Sequence, residues 1–355
     1  MIAVLGATIL VSATAAFGVE LAPKSDCGSP SDIQDGWVIG APERQGFDPT
    51  FLCEMGNGIA EGHLPNVDSI VVVRHGVLVY ERYFGPYDST TSHVGNSMTK
   101  SVVSLLVGIA LDRGLIKDLD ARAFSFFPEY ADLRTPEKDW ITLRHLLTMS
   151  AGLNASVSGR MLGLDRDPFR HALEGTLVRD PGISFEYSNV ETELIGAILQ
   201  KVSGKTVDVL ATEEIFGPLG IQDFRWYGRL GNDLPMCSSG LSLRPRDWAK
   251  IGQLVLNHGA WNGKQIVSAS WISQSTTKQV KAPKTFSYGF QWWLGRSTIH
   301  DRVIEWTAAL GFNAQKLIVI PDLDIVVVFN ASRESVQMVA PEIELLDRYI
   351  LPALR

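Results

Sequence analysis

Ser97-Met98-Thr99-Lys100 stands where a polar turn, His93-Val94-Gly95-Asn96, runs into an apolar stretch, Ser101 to Leu111, that ends at Gly114. Val102, Val103, Leu105, Leu106, Val107, Ile109 and Leu111 leave that stretch almost no polar face, which predicts a buried helix. A serine in the first turn of a helix has its hydroxyl beside unpaired backbone N–H groups. A lysine three residues on shares its face, one turn further. The pattern sets a hydroxyl next to an amine, and burial against so apolar a helix disfavours the charged form of that amine. A neutral lysine can accept a proton. Alone, Ser-x-x-Lys has a plainer explanation, a capping serine followed by a solvated charge. The spacing recurs at Ser275-Thr276-Thr277-Lys278, in a polar stretch with no apolar helix behind it. Other parts of the chain decide the weight of the first copy.

Phe185-Glu186-Tyr187-Ser188-Asn189 follows the turn signal Asp180-Pro181-Gly182 and precedes Leu194-Ile195-Gly196-Ala197-Ile198-Leu199. Tyr187 therefore falls on a loop that leads into a second helix. Tyr-x-Asn occurs nowhere else in the chain. A phenol near Ser97 and Lys100 can act as base in one step and acid in the next. The neighbouring amide of Asn189 can hydrogen-bond Lys100 or a substrate. The structural alternative is a core tyrosine followed by an Asn N-cap.

Ser-Met-Thr-Lys before an apolar helix, followed later by Tyr-Ser-Asn, resembles the serine β-lactamase and penicillin-binding protein superfamily. More narrowly, the chain resembles the class C-like branch of esterases and 6-aminohexanoate-dimer hydrolases. Thr142 to Leu153 is similar to the segment between that family's first two motifs. Ser238-Ser239-Gly240-Leu241, with Asp247 beyond it, resembles the later glycine turn and helix. Tyr288-Gly289-Phe290-Gln291-Trp292 resembles the start of the next strand. The likeness runs from about Asp68 to the C-terminus.

The resemblance implies an α+β architecture of the β-lactamase/transpeptidase type. An antiparallel sheet flanked by helices would carry a mainly helical lobe, with the active site in the cleft between them. It implies that Ser97 is a nucleophile, Lys100 the group that takes its proton, and Tyr187 their partner. The third motif of β-lactamases is Lys-Thr-Gly, and the matching stretch here is Ala309-Leu310-Gly311, followed by Phe312-Asn313-Ala314-Gln315. The glycine is kept and the lysine is not. That argues against a β-lactam as natural substrate, because the family's lysine helps bind a substrate carboxylate. If a β-lactam were the substrate after all, Arg302 or Arg296, both near this strand, would be the candidates for the missing positive charge. The carry-over places an oxyanion hole at the backbone N–H groups of Ser97 and Phe312, next to Gly311. One such donor is typically worth ~3–4 kcal/mol in the transition state. No metal or organic cofactor is implied. The activity implied is hydrolysis of a small ester or amide through an acyl-enzyme. The alternatives are a β-lactamase or penicillin-binding peptidase, and a binding protein that kept the fold without the activity.

Other catalytic plans fit the residues worse. A nucleophile elbow reads Gly-x-Ser-x-Gly, whereas here Gly95-Asn96-Ser97-Met98-Thr99 stands. The histidines (63, 75, 93, 145, 171, 258 and 300) form no triad motif and no metal-ligand spacing, and there is no Cys-x-x-Cys. With 355 residues, 45% of them hydrophobic, and a net charge of −7, the chain suits one large catalytic unit. No basic stripe is present, so a nucleic-acid partner is disfavoured.

Met1 to Phe17 is apolar and small, with an Ala13-Thr14-Ala15 cleavage pattern, and residues 1–18 read as a signal peptide although no Lys or Arg precedes the apolar run. A periplasmic or secreted protein is expected, with a cytoplasmic one as the alternative and no stable membrane insertion of the mature chain. Residues 19–66 read as a loop-rich extension containing one helical piece from Pro49 to Asn57, and residues 67–355 as the catalytic domain, with a helical lobe over about 97–230. His75-Gly76 is a two-residue hairpin turn between Asp68–Arg74 and Val77–Tyr83. Strands are expected again over Phe286–Leu294, Val303–Trp306, Lys316–Ile320 and Ile325–Asn330, then a helix over Glu344–Ile350. Of the cysteines 27, 53 and 237, the first two are the expected disulfide pair in an exported chain.

Overall fold

The computed structural model describes residues 27–64, 67–154, 167–299, 301–332 and 341–355. The expected signal peptide lies outside the described residues. In chain order the strands are β1 (Val38–Ile39), β2 (Ser69–Arg74), β3 (Val77–Tyr83), β4 (His93–Val94), β5 (Phe224–Trp226), β6 (Leu241–Leu243) and the small hairpin β7 (Ala260–Trp261) with β8 (Lys264–Gln265). They continue as β9 (Val280–Lys281), β10 (Ser287–Tyr288), β11 (Trp293–Ile299), β12 (Arg302–Gly311), β13 (Gln315–Ile320) and β14 (Ile325–Asn330). The main sheet has the order β1-β3-β2-β14-β13-β12-β11-β10-β9. Strands from both ends of the chain meet at β2–β14, with Val72 opposite Val327. Every pairing in it is antiparallel except β1 with β3. His75 and Gly76 have φ of +51° and +72°, the two left-handed residues of a type I′ hairpin turn.

The central strands are apolar on both faces because both faces are covered. Val71, Val73, Leu317, Val319, Val326 and Val328 pack against the helices Thr99–Asp112 and Pro245–Leu256. Their alternates Ile70, Val72, Ile318, Ile320 and Val327 pack against the helix Pro49–Ala60 and the C-terminal helix. The period-two side-chain alternation of a strand makes this division. The helical segments Leu143–Leu147, Pro168–Glu174 and Asn189–Ser203 sit between β4 and β5, as the expected helical lobe requires.

Several details differ from the sequence reading, among them β12, which runs on to Gly311 rather than ending at Trp306. The strand expected over Phe286–Leu294 is broken: after β10 the chain turns at Gly289–Trp292, with Gly289 N–H donating to Trp292 O at 2.9 Å and Gln291 at φ +64°. The Gln291 side chain explains the break. Its amide donates to Leu146 O and Leu147 O and accepts from Thr192 Oγ1, so the sheet's edge is pulled onto the helical lobe. The first helix runs three residues further than expected, to Ala60, from an N-cap at Asp48 that accepts Thr50 N–H at 3.0 Å. The last helix starts at Pro341 and widens to π-type over Leu346–Ile350.

Residues before β2 are tied to the sheet. Arg246, fully buried, donates to Glu81 Oε2 at 2.7 Å, to Asp35 Oδ1 at 3.2 Å and to Ser31 O at 2.7 Å. Trp37 Nε1 donates to Arg246 O at 3.2 Å. Cys27 and Cys53 form a disulfide and Cys237 is a buried free thiol. Among the described residues no helix is long and apolar enough to cross a membrane. Thiol counting on denatured, unreduced protein should find one free thiol per chain. Three would show that the Cys27–Cys53 bond does not form.

Candidate active site

Ser97 lies in a 3-10 turn, Asn96–Met98, that continues directly into the buried helix Thr99–Asp112. The turn is pinned from two sides. Thr99 Oγ1 donates to Asn96 O at 2.7 Å and accepts Leu241 N–H at 3.2 Å, and Gly95 N–H donates to Leu241 O at 2.9 Å. These bonds extend the β4–β6 pairing and bring the Ser238–Leu241 segment alongside. Ser97 itself is partly exposed.

Lys100 is only 1% exposed. Its Nζ donates to Ser97 Oγ at 3.1 Å, Asn189 Oδ1 at 2.8 Å and Ser238 O at 2.7 Å. It also lies 5.0 Å from the centroid of the Tyr187 ring. Burial pulls the pKa of this amine down to about 7, with the Glu193 carboxylate working the other way. Near neutral pH the amine is thus divided between its charged and neutral forms.

Ser188, not Asn189, caps the next helix: its hydroxyl accepts Glu191 N–H. That corrects the reading of Asn189 as an N-cap. Asn189 is the first helical residue, and its amide is free to reach Lys100. Tyr187 stacks on Trp293 with ring centroids 5.7 Å apart and touches Phe185. Its hydroxyl has no partner of ordinary hydrogen-bond geometry. Burial pushes the phenol's pKa up, and the nearby Ser97 hydroxyl offsets only part of this, so the resting phenol is neutral.

β12 ends at Gly311, where a Cβ would come within 2.1 Å of Gly95 O. Only glycine lets this strand lie so close to the Ser97 turn. Phe312 follows in the tight loop to β13, about half exposed, and its carbonyl accepts Asn96 Nδ2–H at 2.9 Å. Behind the loop runs a chain of buried amides. Gln315 Nε2 donates to Asn313 O at 3.1 Å, Asn330 Nδ2 to Gln315 Oε1 at 2.8 Å and Ser69 Oγ to Asn330 Oδ1 at 3.0 Å.

Ser97, Lys100, Tyr187, Asn189, Gly311 and Phe312 therefore converge on one place. Ser275 does not join them. It ends the helix Ala269–Ser275, buried, with its hydroxyl on Ile272 O at 3.2 Å. Nor do the two arginines stand in for a lysine at Ala309. Arg302 opens β12, roughly 30 Å of strand from Gly311, and pairs with Asp322. Arg296 lies opposite Glu305, roughly 20 Å short of Gly311. The sequence reading missed the Ser238 carbonyl and Glu193. The second had a signal: an acid one turn after Asn189, on the same helix face, just before an apolar run. Among the described residues, no group of three or more His, Cys, Asp or Glu could hold a metal.

The Beta-lactamase family matches residues 58–348, most of the chain. The chain belongs to the β-lactamase family. Its fold is the β-lactamase/transpeptidase-like one, and its structural neighbours in the family include hydrolases. An uncharacterised protein of Alkalihalophilus pseudofirmus is 24% identical over 304 residues, 74% of this chain and 83% of that protein. Among solved structures, a Bacillus anthracis protein provisionally named 6-aminohexanoate-dimer hydrolase superposes with a TM-score of 0.67 at 25% identity, covering 81% of this chain and 78% of its own. A family VIII carboxylesterase superposes with a TM-score of 0.71 at 16% identity, covering 88% of this chain and 98% of its own, a likeness of fold alone.

In this β-lactamase-family site the Gly95–Gly311 approach holds the end of β12 against the Ser97 turn. Gly311→Ala should push the two backbones apart. Because a displacement near 1 Å can cost on the order of 100-fold in rate, hydrolytic turnover should fall by about that factor. Circular dichroism should still show a folded protein. Wild-type turnover in the variant would show that the contact does not matter.

Proposed function

We propose that this protein is a serine hydrolase that cleaves a small ester or amide through an acyl-enzyme intermediate. The observation that carries the reading is the buried Lys100 amine, 3.1 Å from the partly exposed Ser97 hydroxyl and poised near neutrality. In the first step Ser97 Oγ bonds to the substrate carbonyl carbon, its proton passes to neutral Lys100 Nζ, and the carbonyl π pair moves onto oxygen. The N–H groups of Ser97 and Phe312 receive that oxyanion. Collapse of the tetrahedral intermediate expels the alcohol or amine, which takes up the proton. Tyr187, neutral at rest, stands beside both groups and suits the relay of that proton to the leaving group. Water then attacks the acyl carbon with the same amine as base, and Ser97 is regenerated. Asn189 and the Ser238 carbonyl hold Nζ in place throughout.

Several residues support an uncharged substrate. Where the family's lysine would stand, Ala309 is an uncharged residue buried in the core. The aromatic wall of Phe185, Tyr187 and Trp293 is apolar. The Cys27–Cys53 disulfide supports an oxidising compartment, periplasmic or extracellular.

Ser97→Ala should abolish labelling by a fluorophosphonate probe and reduce ester turnover to background in a folded protein. In the wild type, kcat/KM should rise with pH through an apparent pKa near that of Lys100, about 7, because only the neutral amine accepts a proton. Lys100→Ala should remove that limb together with most of the rate. Labelling that persists in Ser97→Ala, or a rate that falls over the same pH interval, would refute the assignment.

Specificity constants for p-nitrophenyl butyrate and a chromogenic cephalosporin should favour the ester. A missing charge-assisted partner for the cephalosporin carboxylate costs ~1.5–3 kcal/mol, about one to two decades. A cephalosporin turned over as fast as the ester would restore the β-lactamase alternative.

A further inference from the structure

The helix Asn189–Ser203 buries two carboxylates, and they face different neighbours. Glu191 meets Ala151 N–H, with Glu186 and Arg179 acting on it. Glu193 lies one turn after Asn189, and its two oxygens are divided between two backbone donors. Cys237 N–H reaches Oε2 at 2.8 Å and Ser238 N–H reaches Oε1 at 3.0 Å. A neutral carboxyl would have one good acceptor oxygen and a hydroxyl proton needing its own acceptor. One N–H on each oxygen fits the ionised carboxylate. Ser238 is thus held from both sides, its N–H on Glu193 and its carbonyl on Lys100 Nζ at 2.7 Å.

We infer that Glu193 is a positioning residue for the proposed base: it fixes the Ser238 carbonyl onto Lys100 and, as a buried anion, keeps the amine basic enough to take the Ser97 proton. This rests on the hydrolase reading given above. A lysine buried without an anion can fall to a pKa of about 5–6, well below the working pH that suits a general base. The Glu193 carboxylate opposes that fall. Burial raises the pKa of the Glu193 carboxyl itself, while its hydrogen bonds from Ser238 and Cys237, and then the Lys100 charge, work the other way. The other groups facing the pair are uncharged at neutral pH. The Tyr187 phenol is pushed up by burial, and the Cys237 thiol is pushed up by burial and by Glu193. Asp208 and Arg229, paired with each other at 2.7 Å, act on Cys237 from the layer beyond. Among the described residues Glu193 is the anion that acts on the amine.

The test follows p-nitrophenyl butyrate hydrolysis and fluorophosphonate labelling against pH in the full chain. Glu193→Gln removes the charge, so the ascending limb should move to lower pH by roughly one unit or more, the size expected for losing a close opposite charge. KM should change little. A limb at the wild-type pH in folded Glu193→Gln overturns the inference. Glu193→Asp keeps the charge on a shorter side chain and decides the matter if the glutamine variant does not fold. Its limb should stay at the wild-type position while kcat drops on the order of ten- to a hundredfold from loosened geometry. A displaced limb, or an unchanged kcat, overturns the inference. Labelling of wild-type Ser97 keeps the two readings apart. Its absence sinks the hydrolase itself, whereas intact labelling with an unmoved Glu193→Gln limb sinks only the role of Glu193.

Discussion

The Lys100 amine has to be satisfied inside the protein. A charged or polar group taken out of water is costly unless protein atoms replace its hydration, and here the replacements come from separate parts of the chain. Ser97 supplies a hydroxyl from the same turn, Asn189 an amide from the following lobe, and Ser238 a carbonyl from a loop more than a hundred residues on. The face of Tyr187 closes the remaining side. Any one of these segments out of place would leave the amine with an unmet bond in an apolar surround. The same buried group therefore joins the pieces of the fold and sets the chemistry they can do.

Two glutamines do comparable work for the backbone. Gln291 leaves the line of the sheet to bond Leu146, Leu147 and Thr192, and its own carbonyl accepts Ser101 Oγ–H at 2.7 Å. It links the sheet's edge, the helical lobe and the Ser97 helix. Gln315 joins Asn313, Asn330 and Ala331 behind the Phe312 loop. A fully satisfied buried polar network specifies one arrangement more sharply than apolar contact does. In this molecule buried polar networks lie where strand ends must meet the Ser97 turn with little tolerance.

The apolar packing underneath is more permissive. β2, β13 and β14 are buried along nearly their whole length on both faces. Such burial is favourable by roughly 25 cal/mol per Å² of apolar surface removed from water. That term is indifferent to which apolar residue faces which, so it gives the sheet without giving the site.

Local pattern was enough for the parts of this protein that local physics controls. The His75-Gly76 turn, the continuous apolar runs of β13 and β14, and the helix behind Lys100 follow from side-chain type and spacing. The Ser97–Lys100 juxtaposition needs only one helical turn, so it too could be read from the chain. What the sequence left open depends on contacts between distant residues. The break at Gly289–Trp292 comes from a glutamine bonding to a helix far off in sequence. Asn189 is freed for Lys100 because Ser188 takes the cap. The need for glycine at 311 comes from the carbonyl of Gly95. What Glu193 bonds depends on the Cys237–Ser238 backbone, more than forty residues on, lying across it. The sequence by itself determined the main strands and helices and the serine–lysine pair. The tertiary structure decided what surrounds that pair, because a buried charge is set by whichever groups folding brings within a few ångströms of it, and chain spacing does not record them.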